Sequence, residues 1–278
     1  MVVIFASLSA LTYGAADFFG GLASRKNSAI TVVAWSQGMG LLVALIAAPL
    51  LGSPSVVAAD LIWGAAAGIC GAIGVGILYR GLAVGLASII SPVAALTGAV
   101  LPVFYGIASG EQPALLSWVG VALALPAILL LSLEKEEKKA HVMKSFEMGF
   151  MAGLGFSGFF ILIAQTGDSS GMWPLVAARS VTVPLFFMIT MIKHHPVLLA
   201  KGTRRQALFG GALDMGANLF YLMATRSGLL VTAVVITALY PAPTVVLQRI
   251  FIGEKLRPAR MVGLMLAIAG AALIGIGG

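Results

Sequence analysis

"GEQPALLSWVG" fills residues 110–120 and "GEKLRPARMVG" fills residues 253–263. Each opens Gly-Glu and carries a Gly nine residues after the Glu, and the two lie 143 positions apart. Shifting the whole chain by 143 aligns its first half on its second without a gap. Leu11 then meets Leu154, Val33 meets Val176, Gly68 meets Gly211, Gly85-Leu86 meets Gly228-Leu229 and Leu96 meets Leu239. Identities are sparse, but the apolar stretches and the polar breaks between them coincide as well.

Those stretches decide the class. Hydrophobic residues make up 60% of the chain and charged residues 10%, against roughly 25% charged in a soluble domain. With a mean hydropathy of +1.04, the solvent for this surface is a lipid bilayer. A hydrocarbon core about 30 Å thick needs about 20 apolar residues in a spanning helix. Ten segments qualify, at roughly 2–22, 29–51, 60–79, 84–107, 114–133, 147–166, 171–192, 205–225, 228–250 and 259–277. The predicted fold is an all-α integral membrane protein of ten transmembrane helices in two inverted five-helix repeats. The repeats span 1–133 and 147–278, joined by a charged linker at 134–146. The first segment has no basic n-region and no A-x-A-like site, so it is expected to remain as a span.

Five helices is an odd number, so the second copy enters the membrane from the opposite side. Inverted repeats of this kind build secondary transporters, with the substrate site near the midplane between the halves.

The stretches "PVFYGIASGEQPALLSWVGVALALPAILLL" and "PTVVLQRIFIGEKLRPARMVGLMLAIAGAALIGI" carry a further reading. Each places a Pro in the fourth helix of its unit, then Gly-Glu, then a Gly-containing last helix. "YGAADFFGG" in the first helix and "YRGLAVGLASIISP" carry the same resemblance. Over essentially its whole length the chain resembles the ten-helix EamA-type members of the drug/metabolite transporter superfamily. The resemblance implies export or exchange of small metabolites, amino acids or drugs across the bacterial cytoplasmic membrane. It also implies a central cavity lined mainly by the third, fourth, eighth and ninth helices with the first and sixth.

Ionisable groups inside a bilayer are costly unless paired or hydrated, so each one is a candidate site. Asp214, Asn218 and Tyr221 share one face of the eighth segment. They read either as a cavity wall that binds substrate or carries a proton, or as hydrogen bonds to a neighbouring helix. Arg179 in the seventh segment requires a carboxylate. Either it pairs with Asp214, or both face the cavity separately. Asp17 lies late in the first segment. Tyr79 and Arg80 close the third, where Arg80 attracts an anionic group or anchors the helix at the headgroups.

Pro92, Pro102, Pro241 and Pro243 interrupt the fourth and ninth segments, and a Pro inside a helix frees a carbonyl. Ser91, Thr97, Thr237 and Tyr240 flank these kinks as cavity donors. Glu111 and Glu254 read as caps of the last helix of each unit. Gly-xxx-Gly at 64–68 and 149–153 marks close helix packing, within the chain or in a dimer.

No metal, cofactor or nucleic-acid partner is expected. The three histidines fall in loops without ligand spacing, and H-E-x-x-H, G-x-S-x-G and P-loop patterns are missing from the sequence. The expected partners are a small-molecule substrate, the bilayer and a coupling proton, with a monomer favoured over a dimer. An enzyme would need paired catalytic groups at one depth, and a channel a repeated polar filter; these are the alternatives. Of 17 Lys and Arg, all but Arg179 and Arg226 fall on the side of the odd-numbered loops. The positive-inside rule puts those loops in the cytoplasm and both termini outside.

Overall fold

A computed structural model describes residues 1–133, 142–253 and 257–277. Glu254 and most of the charged linker, including Lys135, Lys138, Lys139 and His141, lie outside the described residues. Within them the chain is all-helical and carries ten helices long and apolar enough to cross a membrane. They are α1 (Val2–Ser24), α2 (Ala29–Leu51), α3 (Ala58–Val84), α4 (Ala87–Ala108), α5 (Leu115–Ser132), α6 (Val142–Ala164), α7 (Trp173–Ile192), α8 (Arg204–Ser227), the span Leu230–Ile252 and α11 (Pro258–Gly277). In lipid an unpaired backbone N–H or C=O costs several kcal/mol, so an apolar segment of this length closes its bonds internally as a helix. Breaks come where the apolar run stops, at residues such as Gly52 and Gly253, each at φ 74°.

Two boundaries differ from expectation. α3 runs one turn past Arg80 to Val84, because Gly81-Leu82-Ala83-Val84 continues the apolar run. The ninth span is not a kinked helix but a broken one. α9 (Leu230–Thr237) ends in a turn, and α10 (Pro241–Leu247) restarts and runs into a π-turn at Gln248–Ile252. Pro241 and Pro243 have no N–H to return to Thr237 and Leu239, and the chain tightens instead, with Leu239 N bonded to Ile236 O and Tyr240 N to Thr237 O. Pro92 and Pro102 leave α4 continuous.

The packing is reciprocal. α1 lies along α8 as α6 lies along α3, and α1 meets α9 and α10 as α6 meets α4. α7 packs on α3 as α2 packs on α8, while α2 with α7 and α5 with α11 each pair an element with its own counterpart. The aligned pair Gly68 and Gly211 shows why. A Cβ on Gly68 would sit 2.5 Å from the carbonyl oxygen of Ala178 on α7, and one on Gly211 would sit 2.3 Å from that of Ser36 on α2. Without a hydrophobic drive between helices in lipid, this backbone-to-backbone approach supplies the dispersion contact that holds them. Both Gly-xxx-Gly patterns are used this way inside the chain: Gly64 and Gly68 face α7, and Gly149 and Gly153 face α4.

Candidate functional site

Side chains from α1, α2, α3, α4, α6, α7, α8 and the α9–α10 turn enclose a cavity of ≈ 250 Å³ near mid-depth. It opens into a vestibule of ≈ 480 Å³ that shares Asp17, Gln37, Tyr79 and Asp214 with it. The vestibule is bounded by Ser24 at the end of α1, Ser91 near the start of α4, Ser132 at the end of α5 and Arg260 near the start of α11. All these positions lie at the face that carries the basic loops.

The opposite face is tied by polar bonds, and two of them have counterparts at the basic face, where Thr203 Oγ1 accepts from Asn27 Nδ2 at 2.9 Å and Ala200 N donates to Asn27 Oδ1 at 2.8 Å. Asp60, in the first turn of α3, accepts from Ser170 Oγ at 2.5 Å and from Gly167 N at 3.1 Å. Ser55 N reaches Ser169 O at 3.2 Å, and Val57 N reaches Ser170 Oγ at 3.0 Å. Arg226, at the end of α8, donates to the carbonyls of Gly167 at 2.7 Å and Gly171 at 2.9 Å and lies 3.2 Å from Asp168.

Deep in the cavity Arg179 of α7 is bonded on two sides. Its Nη2 donates to Asp214 Oδ2 of α8 and its Nη1 to Gln37 Oε1 of α2. Thr182 Oγ1 also donates to Gln37 Oε1, at 2.9 Å. A guanidinium only 8% exposed at that depth is held by a carboxylate and an amide, as a buried charge requires. Arg179 and Asp214 form the pair, and both partners line the cavity.

Asp17 of α1 projects into the same space and is exposed to it. Its carboxylate has no hydrogen-bond or ion-pair partner among the described residues, unlike Asp214. Tyr13, Tyr79 and Tyr240 line the cavity with it, and the rings of Tyr13 and Tyr240 sit 6.2 Å apart at 57°. Asn218 also lines it, with Nδ2 bonded to the backbone oxygen of Asp214 at 2.7 Å. Ser91 and Pro241 line the vestibule.

The other candidates lie elsewhere. Tyr221 is fully buried beyond the cavity, its hydroxyl donating to Phe160 O at 3.1 Å. It shares the Asp214 face but sits seven residues, about 10 Å, deeper. Thr97 packs on Gly153 of α6, and its carbonyl accepts from Ser157. Thr237 is fully buried and lines neither space. Arg80 is exposed at the basic-loop end of α3 and also lines neither, which fits an anchor at the headgroups. Pro92 and Pro102 are buried in α4, and Pro243 packs against Gly14.

Glu111 requires a correction. It does not cap the helix that follows it. Its carboxylate accepts from Leu230 N at 2.6 Å and Val231 N at 2.9 Å, so it caps α9 of the other repeat. Gln37 and Tyr13 were absent from the sequence candidates. An amide and a phenol in mid-segment carry no charge; only the i to i+4 spacing of Tyr13 with Asp17 could have pointed to Tyr13, and Gln37 aligns with Ser180, next to Arg179.

A two-repeat bundle of ten spans around a cavity that opens to one face is the architecture of a multi-pass membrane protein. The sequence model of the EamA-like transporter family matches residues 1–133 and 145–276. The chain belongs to that family, whose members are membrane transporters of the drug/metabolite type. No curated protein matches the chain. Among solved structures, 28 chains match. One, titled only as the crystal structure of a protein, is similar at 15% identity and TM-score 0.73, over 97% of this chain and 96% of that one; at that identity the likeness concerns the fold.

Proposed function

We propose that the protein is a secondary transporter that exports or exchanges small amphipathic metabolites, amino acids or drug-like compounds, across the bacterial cytoplasmic membrane. It works by alternating access between its two repeats. The observation that carries this reading is the asymmetry of the cavity: through the vestibule it reaches the basic-loop face, past Ser24, Ser91, Ser132 and Arg260. In the reverse state the vestibule closes and the cavity opens toward the Asp60–Ser170 face, as the pseudo-two-fold relation of the halves permits. By the positive-inside rule the basic loops are cytoplasmic, so this is the inward-open state with both termini outside.

Asp17 is the carboxylate available to exchange a coupling proton, since Asp214 is committed to Arg179. The tyrosines and the Arg179–Asp214 pair are the polar groups around it.

Counterflow in proteoliposomes tests the reading. Purified protein is given labelled amino acids, nucleosides and cationic drugs, with and without a pH gradient. Saturable uptake competed by related compounds is the expected result, and uptake without saturation would instead indicate a channel. Asp17→Asn is expected to abolish the response to the gradient. Substituted cysteines at the basic loops, labelled in intact cells by an impermeant thiol reagent, check the orientation; they should remain unlabelled.

A further inference from the structure

The two walls of the cavity are symmetry counterparts that have diverged. Under the 143-residue shift, Tyr13 and Asp17 of α1 correspond to Phe156 and Phe160 of α6, and Asp214 and Asn218 of α8 correspond to Gly71 and Val75 of α3. All eight line the deep cavity. One wall therefore carries carboxylates, an amide and a phenol. Its counterpart carries two phenylalanines, a valine and a glycine. The space between them is amphipathic by construction.

Its charge is also one-sided. Among the described residues, three charged side chains line the deep cavity: Asp17, Arg179 and Asp214. Arg179 and Asp214 neutralise each other, which leaves the unpartnered Asp17. Arg260 lines only the vestibule. It belongs to the first turn of α11, at the mouth, and its Nη2 donates to Leu133 O at 3.1 Å. Asp17 sits about two turns in from the end of α1.

Resting on the transporter reading, we infer that Asp17 is a specificity-determining residue, and that the cavity selects small organic cations: a protonated amine carried on an aromatic or aliphatic body. The ammonium sits between the Asp17 carboxylate and the faces of Tyr13, Tyr79 and Tyr240, where both Coulomb attraction and the ring quadrupoles favour positive charge. The apolar body lies toward Phe156 and Phe160. A carboxylate without a cation is costly at this depth, and the ligand supplies the missing one. An anion of the same shape meets repulsion at Asp17 and finds Arg179 already occupied. A zwitterion gains at one end and loses at the other.

Three ligands of one shape separate these cases: phenethylamine, phenylalanine and 3-phenylpropionate, titrated calorimetrically into purified protein. Phenethylamine is expected to bind at least about tenfold more tightly than phenylpropionate, a difference of about 1.4 kcal/mol, with phenylalanine between them. Asp17→Asn should erase that order, Asp17→Glu should restore it, and the melting temperature of both should stay at the parent value. Tightest binding of the anion or the zwitterion overturns the inference. So does an order that survives Asp17→Asn, or no binding of any of the three at millimolar concentration.

Counterflow of the same three compounds is read separately. Selective amine binding without counterflow of any compound keeps the site and overturns the transporter reading. Counterflow of phenylalanine by a protein that binds the amine weakly keeps the transporter and overturns the charge selectivity.

Discussion

Two aspartates in one cavity have different duties, and their surroundings set the difference. Asp214 is the counter-ion of a guanidinium that has almost no solvent. Removing its charge leaves Arg179 buried against neutral atoms, a change that costs about 3–5 kcal/mol in comparable buried pairs. Asp214→Asn should therefore lower the melting temperature in detergent by many degrees and reduce the yield of folded protein. Asp17 has no such partner, and Asp17→Asn should melt with the parent. Measured side by side, the two variants separate a structural carboxylate from a ligand-facing one. Both aspartates were legible in the sequence as costly charges at depth. The assignment of roles was not, because it depends on which helix face meets α7, and no local pattern encodes that.

At the scale of the element, α9 is the weak point. It is eight residues long, too short to be stable alone, and two prolines end it. Its first turn is held by Glu111, 119 positions earlier in the chain. A charge-assisted cap on two backbone N–H groups contributes about 1–2 kcal/mol. Glu111→Ala should lose most of that, and Glu111→Gln about half. Amide exchange at Leu230 and Val231 should speed up most in Glu111→Ala and less in Glu111→Gln. Sequence proximity pointed Glu111 at the helix that follows it, α5. The actual partner belongs to the other repeat, and only the packing of α4 against α9 brings the two together. The small residues were more legible: the aligned Gly68 and Gly211 mark the two equivalent close crossings. Gly211→Leu should abolish folded expression, since its Cβ alone would meet a carbonyl at 2.3 Å, whereas Gly76→Ala, with nothing within 4 Å, should be silent.

For the whole molecule, the ten spans, the duplication and the inverted halves are legible in the residues alone, because bilayer thickness and backbone satisfaction leave a chain this apolar few options. The depth of the cavity is not. Tyr221 shares a helical stripe with Asp214 but lies below the floor, and a helical wheel carries no depth. The closed face gives the test of the alternating cycle. In a Cys70→Ser background, Ala95→Cys on the cavity wall should react with an impermeant thiol reagent from the basic-loop side and be protected from the other. Adding Asp60→Asn, which weakens the bonds to Ser170 and Gly167, should expose it from that other side as well. Protection that persists in the double variant would remove Asp60 from the closure.

The unlike walls have a consequence for how such a protein could arise. Two identical five-helix chains meeting about a true two-fold axis would be bound to present the same surface twice, so any carboxylate gained on one side would be gained on the other. Joined in one polypeptide, the halves are free of that constraint. Phe160 and Asp17 can be inherited independently at corresponding places, and the molecule achieves a division of labour between solubilising and charge-reading surfaces that no homodimer of its ancestor could hold.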